Sequence, residues 1–364
     1  MEIVDIRQFE DVYRGRRVFV TGHTGFKGSW LALWLTRLGA EVTGFGLAPH
    51  TAPCHWDLLE LSARDLRGDI RDADSLRRAI QSSQPEIVFH LAAQPLVRRS
   101  YAMPLDTWST NVMGTANLLD ACRDAEGVRA IVVITTDKVY ANKEWHWGYR
   151  ETDLLGGHDP YSASKAACEI VVSSYRSSFF SKDTHPLIAT ARAGNLIGGG
   201  DWSQDRLIPD VVRALATGRP LEVRSPGATR CWLHVLDCLA GYLQLGKQLY
   251  QGRSEFADAW NLGSSSEDNQ TVGGVLNMLR TTWPNLQWCT PEETSPHETG
   301  HLHLESARAR SLLKWKPVWD LKCALAATAA WYEGFTTFNV PLTDVQLKGY
   351  VESAVRAGCS WAVQ

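Results

Sequence analysis

Val18-Phe19-Val20-Thr21-Gly22-His23-Thr24-Gly25-Phe26-Lys27-Gly28-Ser29-Trp30 decides the fold. A short apolar strand, Val18 to Thr21, runs straight into a GxxGxxG turn. Ser29 to Leu38 then has the pattern of a helix. Trp30, Leu31, Trp34, Leu35 and Leu38 share one face at helical spacing, and Gly39 suits the C-terminal cap. Strand, glycine turn and helix in this order form a dinucleotide fingerprint, because glycines let backbone amides and a helix N-terminus approach a pyrophosphate. Gly22, His23, Thr24, Gly25, Phe26, Lys27 and Gly28 are therefore candidate cofactor contacts. Lys27 adds positive charge within the turn; the alternative is a lysine pointing to solvent.

Further along, Glu41 to Leu47 is a second strand. An acid is expected at its end to bind the adenosine ribose, but Gly46 and Leu47 stand there, and no arginine follows closely to favour a 2′-phosphate. This position does not decide between NAD and NADP. Asp69 and Ile70, in Gly68-Asp69-Ile70-Arg71-Asp72, are placed to flank an adenine ring, with a solvated turn as the alternative. Glu86 to Ala93 is another apolar strand, and its end, Leu91, Ala92 and Ala93, lets a cofactor lie against backbone. Asn111 opens a helix to about Cys122, as a cap or as an internal polar strut.

Ile131-Val132-Val133-Ile134 is apolar at every position, as in a parallel strand covered on both faces. It ends in Thr136, Asp137 and Lys138, at the carboxyl end of a strand, where open α/β sheets bind their ligands. A Trp- and Gly-rich stretch, Asn142 to Glu151, has the look of a covering loop. Tyr161-Ser162-Ala163-Ser164-Lys165 then opens a long helix through Tyr175. Tyr161 and Lys165 share one helix face at i and i+4. An ammonium beside a phenol favours the phenolate, as a general base near neutral pH requires.

Leu187 to Arg192 is one more strand, after which the regular alternation stops. Arg206, Arg224 and Arg230 follow as candidate anion contacts, since the guanidinium fork suits a diphosphate. Gln94, Asn195, Trp202 and His234 join them as candidate substrate contacts. His234 starts a helix, and Ala259 to Gly263 is a strand returning to the sheet. Helices are expected near Val272–Leu279, Ser306–Leu313 and Leu321–Thr336, with a frayed tail from about Val351. His297, His301 and His303 lack a helical i,i+4 frame and nearby cysteines, so no metal is assigned to them.

The expected fold is α/β: a Rossmann-type doubly wound parallel sheet with a smaller mixed α/β C-terminal substrate-binding region. Residues 1–192, with 234–263 returning, form the NAD-binding part; 193–233 and 264–364 form the substrate-binding part. With 364 residues, 44% hydrophobic and 21% charged, the composition is that of a globular protein. A net charge of −3 gives no reason to expect nucleic acid or an anionic membrane as partner. No apolar run approaches the roughly 18 residues that span a bilayer. Eight scattered cysteines without a CxxC pair argue against zinc or a disulfide framework and point to a reducing cytoplasm. Fifteen tryptophans, several in Gly/Asp-rich segments, exceed what core packing alone asks for.

Gly22 to Gly28, His90-Leu91-Ala92-Ala93, the Asn111 segment, Tyr161 with Lys165, and Trp260-Asn261-Leu262-Gly263 together resemble the extended short-chain dehydrogenase/reductases. More narrowly, Gly22 to Trp30, Thr136-Asp137-Lys138 with Asn142 to Trp145, Gly194-Asn195 through Gly199-Gly200-Asp201-Trp202, and Asp205-Arg206 resemble the nucleotide-sugar 4,6-dehydratases that act on CDP-glucose. In the related dTDP-glucose and GDP-mannose enzymes an acid arrangement stands at the position of Lys138, so this lysine points to the CDP-sugar branch. One departure is Cys231-Trp232-Leu233-His234, where the family pattern has proline and glutamine beside the tryptophan.

The resemblance implies NAD as cofactor, a CDP-sugar as substrate, and a homo-oligomer, a dimer or dimer of dimers, built through the helices after Asn111 and Tyr161. Tyr161 would take a sugar hydroxyl proton, with Thr136 holding that hydroxyl. Asp137 is implied as the acid and Lys138 as the base of an elimination, roles that require both to be uncharged. A 4-epimerase of the same fold would need only Tyr161 and Lys165. A non-catalytic scaffold would need neither.

Overall fold

The computed structural model describes residues 7–180, 186–265, 269–291 and 300–363. Seven strands make one parallel sheet: β1 (Arg17–Thr21), β2 (Glu41–Gly46), β3 (Arg64–Arg67), β4 (Ile87–His90), β5 (Ala130–Ile134), β6 (Leu187–Ala193) and β7 (Ala259–Leu262). Their spatial order is β7-β6-β5-β4-β1-β2-β3, each neighbouring pair running parallel. The order reverses between β1 and β4, which is where such sheets open a crevice at their carboxyl ends. β5 shows why these strands form: Ala130, Val132 and Ile134 enter the apolar cluster on one face, Ile131 and Val133 that on the other.

Helix α1 (Phe26–Arg37) begins three residues before the expected start, because Gly25 takes the extended capping conformation. α2 (Ala73–Ser83) is capped by the Asp72 carboxylate on the Ser75 amide. α3 (Gly114–Arg123) continues an almost unbroken helical run from Pro104, through a wide turn at Ser109–Met113. Asn111 lies inside that wide turn and so does not open the helix. α4 (Pro160–Ser178) starts on the Asp159 cap with Pro160 at its first position.

Beyond the sheet come α5 (Leu207–Thr217), α6 (Val235–Tyr250), α7 (Val272–Leu279), α8 (Leu321–Phe338) and α9 (Thr343–Arg356). Every residue of α6 is buried, as in a helix enclosed on all sides. A small sheet, Asn195–Ile197, Thr229–His234 and Asn269–Thr271, stands beyond the carboxyl ends of β5 and β6 with Thr229–His234 in its middle. The tail does not fray: Ala362–Val363 pairs antiparallel with Arg7–Gln8, and the Trp361 ring stacks on Phe9 at 4.9 Å. The tryptophans divide: Trp30, Trp34, Trp260, Trp315 and Trp331 are the largest fully buried side chains of the core, whereas Trp108, Trp145 and Trp147 are exposed and exceed what the core asks for.

Three histidines are sealed in this core. His55 lies between the Ser29 and Thr343 hydroxyls, His90 between those of Thr21 and Thr115, and His234 accepts from the Leu236 amide. Burial pushes each down to about 3. The unfolded chain takes up these protons below about 6.5, the folded chain only near 3. Stability from this source is therefore complete above pH 6.5 and is lost as pH falls, by on the order of 1 kcal/mol per histidine per unit. The melting temperature is expected to drop clearly between pH 7 and 5.5, above the main carboxylate range; a flat profile there would show the imidazoles to be accessible.

Candidate active site

A cleft of about 850 Å³ opens at the carboxyl ends of the sheet. Its floor carries Lys27, Leu91, Ala93, Thr136, Asp137, Lys138, Tyr161 and Lys165, and Asn195, Arg206, Arg224 and Arg230 line the far wall. The glycine turn is shaped by close approach. A Cβ at Gly22, whose φ is +74°, would fall 2.7 Å from the Ala92 nitrogen, and one at Gly28 would fall 2.1 Å from the Gly22 oxygen. The turn, the N-terminus of α1 and the Leu91–Ala93 backbone therefore form a cradle that side chains would fill, and it fits a pyrophosphate.

Within the turn, only the backbone of His23 can serve a cofactor. Its ring lies fully buried under Gly44 and bonds Asp65 Oδ1 through Nε2 at 2.9 Å. Thr24 Oγ1 donates to the Leu47 oxygen at 3.0 Å. Lys27 faces the cleft, where burial draws its ammonium down to about 8. Arg67, on β3 opposite Gly46, donates to the same Leu47 oxygen at 3.1 Å. The sequence hid this arginine at the ribose position because it belongs to the neighbouring strand. Asp69 is held by the Arg71 guanidinium at 2.6 Å, which keeps its carboxyl below the usual range, and Ile70 is buried beside it. Asn111 is a strut: Oδ1 accepts from the Gln94 amide at 2.8 Å, while Nδ2 donates to the Gln94 oxygen and to Ser164 Oγ.

Tyr161 and Lys165 project from the first turns of α4, both buried. Lys165 donates to the Ile134 oxygen at 3.0 Å and is lowered by burial. In the free chain, however, Tyr161 is not a ready phenolate. Burial raises it to about 12, and a hydrogen bond with Thr136 only partly opposes this. The lowering expected from Lys165 is not found: its ammonium turns to the Ile134 oxygen, and the phenol's loss of water dominates. Thr136 Oγ1 donates to Asp137 Oδ1 at 2.9 Å, and Lys138 Nζ sits 3.3 Å from that oxygen. Asp137 is 1% exposed, and its Oδ2 has no hydrogen-bond partner among the described residues. The strand end thus presents a buried carboxyl oxygen and a partly exposed amine beside the phenol.

One part of the support escaped the sequence. Glu169, one turn past Lys165, accepts from Thr135 Oγ1 at 2.5 Å, Thr190 Oγ1 at 2.7 Å and Arg192 at 2.8 Å. Arg192 continues to the Tyr140 hydroxyl at 2.8 Å, which donates to Asn261 at 2.7 Å. This buried chain joins β5, β6, β7 and α4 directly behind Thr136. The i+4 spacing from Lys165 was its only sequence signal.

Three of the seven expected substrate residues stand apart from the cleft lining. The Gln94 side chain turns to Leu96 and Thr107 and shapes its own loop. Trp202 packs against Tyr332 and Phe335 at 5.3 and 5.6 Å. His234 is the sealed cap described above, beside Trp319. The Trp-rich loop covers Tyr140 and Tyr149, not the cleft, with Asn142 donating to the His301 oxygen. His301 and His303 have ring centroids 6.5 Å apart, and His297 lies outside the described residues.

A Rossmann sheet whose switch point carries a glycine cradle, with a Tyr/Lys pair beside it, defines a class, and the chain belongs to the NAD dependent epimerase/dehydratase family, whose pattern matches residues 18–263. Within that class it is 45% identical to the CDP-glucose 4,6-dehydratase of Salmonella typhimurium over 335 residues, covering 90% of this chain and 93% of that protein. Among solved structures it is similar to a DesIV double mutant from Streptomyces venezuelae, a dTDP-glucose 4,6-dehydratase with NAD bound. The TM-score is 0.74 and the identity 26%, over 87% of this chain and 97% of that one. The fold is also that of the epimerase Mth375 from Methanothermobacter thermautotrophicus, with a TM-score of 0.80 at 23% identity over 90% of this chain and 95% of that one.

Proposed function

We propose that the chain converts CDP-glucose to CDP-4-keto-6-deoxyglucose and water, a step toward a deoxysugar, in a cycle that consumes no cofactor. The observation that carries this reading is one cleft holding both Tyr161/Lys165 and Asp137/Lys138. The first pair suffices for oxidation at C4; the second is needed only if C5 and C6 also react.

NAD, which the Gly22–Gly28 turn and the Leu91–Ala93 backbone would hold, would supply the acceptor for the C4 hydride and its donor to C6. The chain supplies the rest. Tyr161 takes the C4 hydroxyl proton while Thr136 holds that oxygen, leaving a ketone that acidifies C5–H. Lys138, as the base, removes the C5 proton, and Asp137 gives a proton to the C6 hydroxyl so that water leaves. When hydride has returned to C6, Lys138 gives a proton back to C5. Asp137 and Lys138 must first part as an ion pair, and the entering sugar, wedged between them, would do this. Incubation with NAD and a panel of NDP-glucoses tests the reading: CDP-glucose should give a 4-keto-6-deoxy product without net NADH. Formation of the C4 epimer alone would instead make the chain an epimerase.

Because the cofactor need not leave between turnovers, weak adenosine-side recognition is tolerable. Gly46 at the ribose position and Arg67 beside it support this. The Kd values for NAD and NADP are expected to differ by about tenfold or less, the worth of one hydrogen bond. A ratio in the thousands would show another group reading the 2′-hydroxyl.

The helical run from Pro104 and helix α4 expose Leu105 (82%), Ile170 (60%) and Met113 (55%), an apolar face suited to a second copy of the chain. Light scattering should give a dimer or larger assembly, and Leu105→Glu with Ile170→Glu a monomer. All eight cysteines are thiols outside any disulfide, which fits a reducing cytoplasm.

A further inference from the structure

Two walls of the cleft meet at one carboxylate. Arg98, in the first turn of the short helix Val97–Ala102 after β4, donates from Nη1 to Asp205 Oδ1 at 2.8 Å. Arg224, just past the strand Leu221–Glu222 on the far wall, brings its Nη1 to 3.7 Å from the same oxygen. All three residues line the cleft. Asp205 reaches this place with φ +58°, in the left-handed region that a residue with a Cβ seldom adopts. Its neighbour Arg206 turns the other way, to Asp201 at 3.4 Å. A non-glycine residue held in this conformation within a ligand cleft suggests that the direction of its side chain matters. Two guanidinium groups from opposite walls, aimed at a single anionic oxygen, are the donor set of a phosphate site.

We propose that Arg98 is a diphosphate-binding residue contributed by the sheet side of the cleft, and that Asp205 is an internal anion which the substrate displaces from it. The proposal rests on the reading of the substrate as a nucleoside diphosphate sugar. Arg98 is 52% exposed and Asp205 33%, so their ion pair is screened and weak. A diphosphate offers more charge and more acceptor oxygens than a carboxylate, and it can engage Arg98 and Arg224 together. Substrate entry would then tie the two walls through its own phosphates. Asp205 retakes Arg98 as the product leaves, which keeps the nucleotide product from lingering.

The test uses the full chain loaded with NAD, measuring CDP binding by calorimetry and KM and kcat with CDP-glucose. Arg98→Met should raise the Kd for CDP and the KM about tenfold, with kcat changed far less. Asp205→Asn should act in the opposite sense, tightening CDP severalfold, and this gain should shrink when combined with Arg98→Met. Unchanged CDP binding in Arg98→Met would overturn the proposal. So would weaker CDP binding in Asp205→Asn, which would make the pair a structural clamp. If both variants shift CDP binding as expected while CDP-glucose is not turned over, the proposed reaction fails and the phosphate site stands.

Discussion

Replacing Tyr161 by Phe should stop the reaction before any hydride moves. The phenol oxygen is the acceptor for the C4 hydroxyl proton, and without it the oxidation has no base at hydrogen-bond distance. A positioned acid or base contributes about 10²–10⁴-fold, so kcat should fall by that factor. The signature matters more than the size. In a single turnover with excess enzyme, neither NADH absorbance nor ketosugar should appear, and solvent deuterium should not enter C5. Phe keeps the ring volume within a buried site, so the melting temperature should stay close to the wild type. Rapid formation of NADH in this variant would show that another group takes the first proton.

Lys138→Met should fail later in the cycle, and that separates it from the tyrosine variant. Oxidation at C4 needs Tyr161 and Lys165 and should persist, so NADH builds up to one equivalent per site. Overall turnover should fall about 10²–10⁴-fold because the C5 proton has lost its base. Deuterium exchange at C5 is the decisive readout: if it continues at the normal rate, lysine is not the base. Removing the lysine also leaves the almost fully buried Asp137 without its partner at 3.3 Å. Lys138→Arg is the needed companion, since it preserves the ion pair but is a far poorer base at neutral pH. Loss of C5 exchange in both variants assigns the base; loss in methionine alone assigns a charge effect on Asp137.

Much of this site was legible as sequence because its members are local. The glycine turn, Thr136-Asp137-Lys138 and Tyr161/Lys165 each lie within one strand end or one helix turn, where spacing fixes geometry. Arg67 was hidden because strand register, not sequence distance, brings it beside Gly46. Glu169, Arg192, Tyr140 and Asn261 come from four elements, and only the folded sheet joins them. His234 and Trp202 looked like ligands for the opposite reason. A histidine and a tryptophan near a motif carry polar atoms, but the His234 ring is sealed in the core beside Trp319, and the partly buried Trp202 ring packs on Tyr332 and Phe335, apart from the cleft lining. The state of Tyr161 was misjudged because a neighbouring ammonium is visible in sequence, whereas the loss of water around the phenol is not.

The pairing of the two chain ends has a consequence for how the protein is made. Trp34, on the first helix, is covered by Phe9, Tyr350 and Trp361, with ring centroids 5.6 to 5.8 Å away. Two of those three covers lie more than 300 residues after Trp34 in the chain. At about 5–20 residues per second they arrive roughly 20–70 s after the first strand has emerged. Through that interval the nascent sheet carries an open indole surface on its outer flank. A ribosome-stalled chain ending before Tyr350 is therefore the form of this protein most in need of a chaperone.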